Sequence, residues 1–362
     1  MSAVTTPARP RSRRLLGLDL ARGLAVCTMI LAHTSPCAID LPAEYLTAPL
    51  FATLVGASLH LAWSAAQARG TSGLAFVADN GFRGACLVAI GEVLQSAYQF
   101  IDVVLQTLGL LTIVLAPVVV LLGRAARAAR AGRAARAGRA ARAALAGAGA
   151  LWLISPLVME ASRHWLAEHP TLDPLGRAIG LWLAAGVHYR VVSFAVYGLV
   201  GVALAVWFAR GGARGRDGLR AVGVCALVTV GAYGGGRLID QGQPYAGDHA
   251  ELLGSTAFAA GATIGCVWLL ARFGDAHRTD RPGVLAPLVA TGQLALTAYS
   301  LQILLLRVLQ QLTGPGFDDD RPWVLGLTLA VVVGCCWAWR RTGLTGPMEV
   351  LLRAPRLLRR EA

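Results

Sequence analysis

Ten apolar runs follow one another along this chain, at 16–35, 46–66, 84–98, 103–122, 145–161, 191–208, 221–239, 252–273, 284–309 and 323–339. A helix of about 20 apolar residues crosses a bilayer. Hydrocarbon supplies no partner for backbone polar groups, so a spanning segment must bond its own amides, which only helices and closed barrels do. Runs of this length and continuity predict an all-α polytopic membrane protein, a bundle of about ten transmembrane helices. Composition agrees, since of 362 residues 56% are hydrophobic, 15% are charged and mean hydropathy is +0.57. Soluble domains carry about a quarter charged residues.

The basic residues set the orientation. All 33 are Arg, against 20 acids, for a net charge of +13. Such a balance suits nucleic acid, but these Arg residues lie between apolar runs rather than on one face of a domain, so no nucleic-acid partner is expected. With the N-terminus inside, the inner segments hold 26 Arg, the outer segments six (Arg163, Arg177, Arg190, Arg237, Arg307, Arg321), and Arg22 lies within the first run. The positive-inside rule then places both termini in the cytoplasm, in a cell (plasma) membrane. The predicted organisation is a basic cytoplasmic tail at 1–15, a single transmembrane domain at 16–341, and a basic cytoplasmic tail at 342–362. No small-residue cleavage site follows the first run, so it reads as a retained helix.

Several segments carry weaker signals. The run 84–98 is short and contains Glu92 and Gln95, and Asp102 interrupts its join to the next run, which predicts a tilted or half-buried helix. Between 123 and 143 Arg recurs every third residue with Ala and Gly between. A three-residue step walks back by about 60° on a helix, so the Arg side chains would spiral around every face. We read it as a low-complexity cytoplasmic loop reinforcing topology; attraction to headgroup or donor phosphates is the functional alternative. In the outer loop 162–190, Trp182 and the apolar stretch 178–187 predict an interfacial helix. The glycines of 198–201 and 234–236 fit close helix packing, or local loosening.

Six of seven Cys fall within predicted spans and only Cys37 in an outer loop, which predicts no disulfide framework. Outer polar groups include Asp40, Glu44, His164, His169, Asp173, His188, Asp248 and His249. Their spacings match no metal signature, so no metal is expected. Walker, dinucleotide and Gly-x-Ser-x-Gly patterns are absent from the sequence.

The first run, by contrast, carries a pattern. Asp19, Arg22 and His33 interrupt it, and ionisable groups in hydrocarbon mark functional pathways by default. Eleven helical steps bring His33 to within about 20° of Arg22, and Asp19 lies within about 60° of Arg22, so all three share one stripe. The rise from Arg22 to His33 is about 16 Å, half the hydrocarbon thickness. An imidazole titrates near neutrality and suits proton or acyl transfer, while a guanidinium suits anions. The competing reading is a buried structural ion pair with His33 among headgroups.

These residues also carry a resemblance. The opening RLLGLDLARGLAVCTMILAH, with Asp19, Arg22, Gly23 and His33, resembles the first-helix signature of the transmembrane acyltransferase superfamily. APLFATLVGASLHLAW (48–63) is similar to the second helix of bacterial relatives of heparan-alpha-glucosaminide N-acetyltransferase. GQLALTAYSLQ (292–302) and GPMEVLLR (346–353) resemble the C-terminal signatures of YeiB-like membrane proteins. Many relatives open the second helix with Gly-Arg-Ser, where this chain has Leu-Thr-Ala-Pro at 46–49. The resemblance implies transfer of an acyl group, acetyl by expectation, from cytoplasmic acyl-coenzyme A to an extracytoplasmic glycan or small-molecule acceptor. It assigns catalysis to His33, Arg22 and Asp19. Arg22, Glu92, Gln95, Gln293, Thr297, Tyr299 and Gln302 are the expected contacts for acyl-coenzyme A, a co-substrate; no permanently bound cofactor is expected. The lipid bilayer is the other expected partner, and a homo-oligomer is compatible with all of this. The alternative is a permease for a small polar or anionic substrate, which the same midplane polar residues would suit. Permeases usually repeat between halves, and no second Asp-Leu-Ala-Arg-Gly occurs.

Overall fold

A computed structural model describes residues 16–35, 40–128, 133–273, 283–314 and 316–352. The basic stretch 1–15, Cys37 and residues 353–362 lie outside the described residues. Thirteen α-helices and no strand occur among the described residues: α1 (Leu16–Thr34), α2 (Asp40–Ala68), α3 (Gly73–Ala97), α4 (Leu105–Ala128), α5 (Arg133–Glu168), α6 (Pro174–Gly180), α7 (Val191–Ala209), α8 (Gly215–Arg237), α9 (His249–Phe273), α10 (Ala286–Gln293), α11 (Ala295–Thr313), α12 (Pro322–Arg341) and α13 (Pro347–Leu351). Nine are long and apolar enough to cross a membrane, and the bent pair α10–α11 makes ten. The predicted fold class is the observed one.

Burial follows side-chain character. α7 is apolar on every face and buries most of its length, as a helix surrounded by others must. α8, by contrast, buries only Gly218 and Gly236 and presents Leu227 and Val230 outward. α2 and α7 cross with backbones in contact. A Cβ on Gly201 would lie 1.9 Å from the Thr53 carbonyl oxygen, so the 198–201 glycines serve close approach rather than loosening.

Three elements differ from expectation. α3 starts at Gly73 rather than 84, capped by the Ser72 hydroxyl, which accepts from the Ala75 amide at 3.1 Å. Asp79, Asn80 and Arg83 mask its first half in the sequence, yet Asn80 is buried and donates to the Phe76 carbonyl, so the helix is full-length rather than short. The Arg/Ala segment is not a loop where it is described, because 123–128 continue α4 and α5 already begins at Arg133. Alanine is the strongest helix former, so the low-complexity stretch lengthens both helices. The run 284–309 is not one helix: it bends by 80° between Gln293 and Ala295.

That bend is held by contacts from outside the run. α10 crosses α1 so closely that a Cβ on Gly23 would lie 2.0 Å from the Leu288 oxygen, and one on Gly292 only 1.7 Å from the Asp19 oxygen. α10 therefore lies across α1, and α11 restarts along it. The start of α11 is capped from the chain's C-terminal side, where Glu349 of α13 accepts from the Leu296 and Thr297 amides at 3.0 and 3.1 Å and from the Thr297 hydroxyl at 2.6 Å. Residues 342–352, predicted as the beginning of a tail, thus fold back onto the bundle.

The helices alternate direction, so the connections 98–104, 169–190, 238–248 and 314–321 gather at the end of the bundle that holds His33. Contacts across that end include Tyr98 to the Asp319 carboxylate at 2.7 Å and Tyr45 to the Gly242 carbonyl at 2.8 Å. In the predicted interfacial stretch, α6 and a π-turn at Leu181–Ala185 expose Leu175, Leu181 and Leu183.

Candidate functional site

The predicted stripe on α1 exists, and other helices meet it at two levels. At the lower level Asp19 is 1% exposed and forms an ion pair with Arg22. Arg22 also donates to Ser58 Oγ on α2 at 2.7 Å, and Gln293 at the end of α10 donates to Asp19 Oδ2 at 3.3 Å. A buried charge needs a partner and hydrogen bonds for its remaining lone pairs, and this four-residue set provides both.

At the upper level the Gln302 carboxamide lies 3.0 Å from His33 Nδ1. Gln302 is fully buried. The broken pair therefore meets α1 at both levels, α10 through Gln293 at Asp19 and α11 through Gln302 at His33. A narrow cavity lies beside the imidazole, lined by Met29, Thr47, Val104, Tyr189, Tyr245 and Tyr299. The Tyr299 hydroxyl accepts from the Val104 amide at 3.2 Å, which fixes the ring.

A second cavity adjoins the first, sharing Ala48 and Tyr245, and its polar lining comes from Glu44, His188, Arg190, Tyr197 and Glu251. Arg190, 1% exposed, donates to the carbonyls of Tyr245 and Ala246. Burial, with Arg163 adding to it, lowers its pKa, while Glu251 opposes the shift. Glu251 accepts from the Tyr197 hydroxyl at 3.1 Å and the Ser255 hydroxyl at 2.8 Å. The phenols of Tyr189 and Tyr245 are pushed up by burial first, and then by Tyr245 in the case of Tyr189 and by Glu44 in the case of Tyr245. At the rim, His188 Nδ1 is hydrogen-bonded to Asp102 Oδ2, and the Tyr245 ring meets the imidazole edge to face at 5.3 Å.

The other predicted contacts fall elsewhere. Glu92 accepts from Gln106 at 3.1 Å, and Gln95 bonds the Ile101 carbonyl and the Val103 amide. Both therefore hold the α3–α4 connection that carries Asp102. Thr297 caps α11 with Glu349. Tyr299 and Gln302 join His33, and Gln293 joins Asp19 and Arg22. Of the outer histidines, His164 pairs with Glu160 and His169 stacks on Trp165. His249 lies edge-on to Trp152, while Asp248 caps α9 by accepting from the Glu251 amide at 2.8 Å. No cluster of three metal-ligating side chains occurs among the described residues. Sequence reasoning missed Asp102, Arg190, Tyr197, Tyr245 and Glu251. Asp102 was visible only as an interruption between apolar runs, Tyr197 only as one residue inside the run 191–208, and the rest only as outer-loop or helix-end residues.

Fold and site together define a multi-pass helical membrane protein with a polar pocket closed around a histidine of its first helix. Residues 205–357 match a family described as a protein of unknown function, DUF418, consistent with a YeiB-like membrane protein. That match covers α8 to α13, and with them Glu251, Gln293, Tyr299, Gln302 and Glu349. Comparison with curated proteins finds no match.

Proposed function

We propose that this protein is a membrane acyltransferase that moves an acetyl or similar acyl group from cytoplasmic acyl-coenzyme A to an acceptor on the far side of the plasma membrane. The observation that carries the reading is His33, held by a buried glutamine of another helix in a cavity, above a charged group on the same helix stripe. The Arg distribution supports an orientation with both termini inside and His33 near the outer face. Arg22 then lies on the donor side, where it and Gln293 would meet the polar arm of the donor.

His33 takes either the acceptor proton or the acyl group itself. Both roles need a free lone pair on Nε2. Gln302 meets this need by a half-turn of its amide, which presents the oxygen to Nδ1–H; that oxygen otherwise has no partner. Removing His33 should abolish transfer while leaving insertion and coenzyme A binding intact. In membrane vesicles with radiolabelled acetyl-coenzyme A, His33→Ala should lose at least about a hundredfold in label transferred. Wild-type protein that neither binds coenzyme A nor transfers label would remove this reading.

A permease is the second reading, favoured by one observation: the helix break beside Asp19 and Arg22, a construction that transporters use for midplane sites. Uptake of a labelled anion into proteoliposomes without coenzyme A would favour it.

A further inference from the structure

The cavity adjoining the one around His33 carries a second imidazole, about half exposed, whose ring is held by a carboxylate. Asp102 and His188 come from different connections, 86 residues apart, and meet only in the folded bundle. A carboxylate accepts the Nδ1 proton of an imidazole and so leaves the Nε2 lone pair as a base, the arrangement that nucleophile-activating dyads use. His188 lines the outer cavity, and His33 lines the inner one. Tyr245 lies between them and faces both.

The outer cavity's charges are largely answered within the protein. Arg190 donates to two backbone carbonyls and faces Glu251, and Glu251 accepts from two hydroxyls. Such a lining suits an uncharged polar molecule presented to the base, with tyrosine rings as walls.

We propose that this outer cavity is the acceptor site, taking an uncharged hydroxyl-bearing molecule whose proton is removed by His188, with Asp102 as positioning residue and His33 as acyl carrier. The inference rests on the acyl-transfer reading and divides its two roles between two histidines. His33 Nε2 attacks the thioester carbonyl carbon; the C–S bond breaks, and the electron pair leaves with sulfur as thiolate. The acceptor oxygen then gives its proton to His188 Nε2 and bonds to the same carbon. The C–N bond to His33 breaks, returning its electron pair to Nε2. The proton on His188 passes to the thiolate, so the products are an ester and free thiol and both imidazoles end as they began.

The test compares acceptors that need a base with one that does not. Purified protein in lipid discs receives labelled acetyl-coenzyme A with glycerol, glucose or envelope glycans as hydroxyl acceptors, or with hydroxylamine, which is unprotonated and nucleophilic at neutral pH. His188→Gln should lose about a hundredfold or more with every hydroxyl acceptor, keep transfer to hydroxylamine within about threefold, and accumulate an acetylated protein detectable by mass. Asp102→Asn should lose about tenfold or more with hydroxyl acceptors alone, with a changed pH profile. His33→Ala should fail with both kinds. If His188→Gln transfers to hydroxyl acceptors as wild type does, or loses both kinds equally, the base assignment is overturned while acyl transfer stands. If wild type transfers to hydroxylamine alone, a hydroxyl acceptor is excluded. If wild type transfers to neither, the acyltransferase reading itself falls.

Discussion

At the scale of single residues, the charges of α1 are coupled rather than merely tolerated. Asp19 is buried and bound by Arg22 and Gln293, so removing the cation leaves a carboxylate in low dielectric. Arg22→Ala should cost about 3–5 kcal/mol, and Asp19→Ala with Arg22→Ala distinctly less. Thermal unfolding in detergent measures both; equal losses would show that the charges are independent. The stripe itself was legible because helical periodicity fixes which residues share a face. Ser58 and Gln293 were not legible as its partners, since they arrive from α2 and α10.

The tyrosines of the His33 end give a second residue-scale expectation. Tyr98, Tyr189 and Tyr245 all have raised pKa values, with burial as the first cause. In the unfolded chain these phenols would ionise near pH 10. Above that pH the unfolded state binds fewer protons than the folded one, so stability is full below about pH 10 and is lost as pH rises beyond it. Alkaline unfolding followed by phenolate absorbance should show these three ionising with the unfolding transition. Replacing all three with Phe should weaken that dependence, and an unchanged profile would count against their burial.

At the scale of elements, the decisive piece is the broken pair α10–α11. The run 284–309 marks its bend only by Thr291, Gly292 and Gln293, residues that an unbroken helix also accommodates. The cause lies outside the segment: α10 is held by backbone contact with α1, and the new start of α11 is capped by Glu349 from 53 residues away at Leu296. Glu349→Ala strips the acceptor from two amides and one hydroxyl. It should destabilise the protein by about 1–3 kcal/mol. It should also reduce the proposed acyl transfer, because α11 carries Gln302 to His33. Glu349→Gln keeps one acceptor oxygen and should recover part of both. If Glu349→Ala melts as wild type does, α11 does not depend on this cap. α3 makes the complementary point: Asp79 and Arg83 hid half of a full span because hydropathy counts a charge without knowing its partner.

At the scale of the whole molecule, the ten crossings and the Arg asymmetry give one expected orientation. In a Cys-free background, a single Cys at Thr71 should be shielded from an impermeant thiol reagent added outside, and one at Gln243 should react. The reverse pattern would invert the orientation, placing His33 on the donor side. The alternation of helices already puts His33, Asp102, His188 and Glu251 at the same end, and this holds in either orientation.

The sequence by itself determined the class of protein, most of its helices and the charged stripe of α1. These follow from local physics, because hydrocarbon forces each run to satisfy its own backbone and a helix fixes the spacing of its own side chains. The tertiary structure alone decided which polar groups meet. Gln302 reaches His33 across 269 positions, and Asp102 reaches His188 across 86. Such encounters depend on where helices cross and how closely, set here by glycine contacts and a distant cap, and hydropathy carries no information about either. The pocket was therefore invisible in the sequence although nearly every residue that lines it was in plain view.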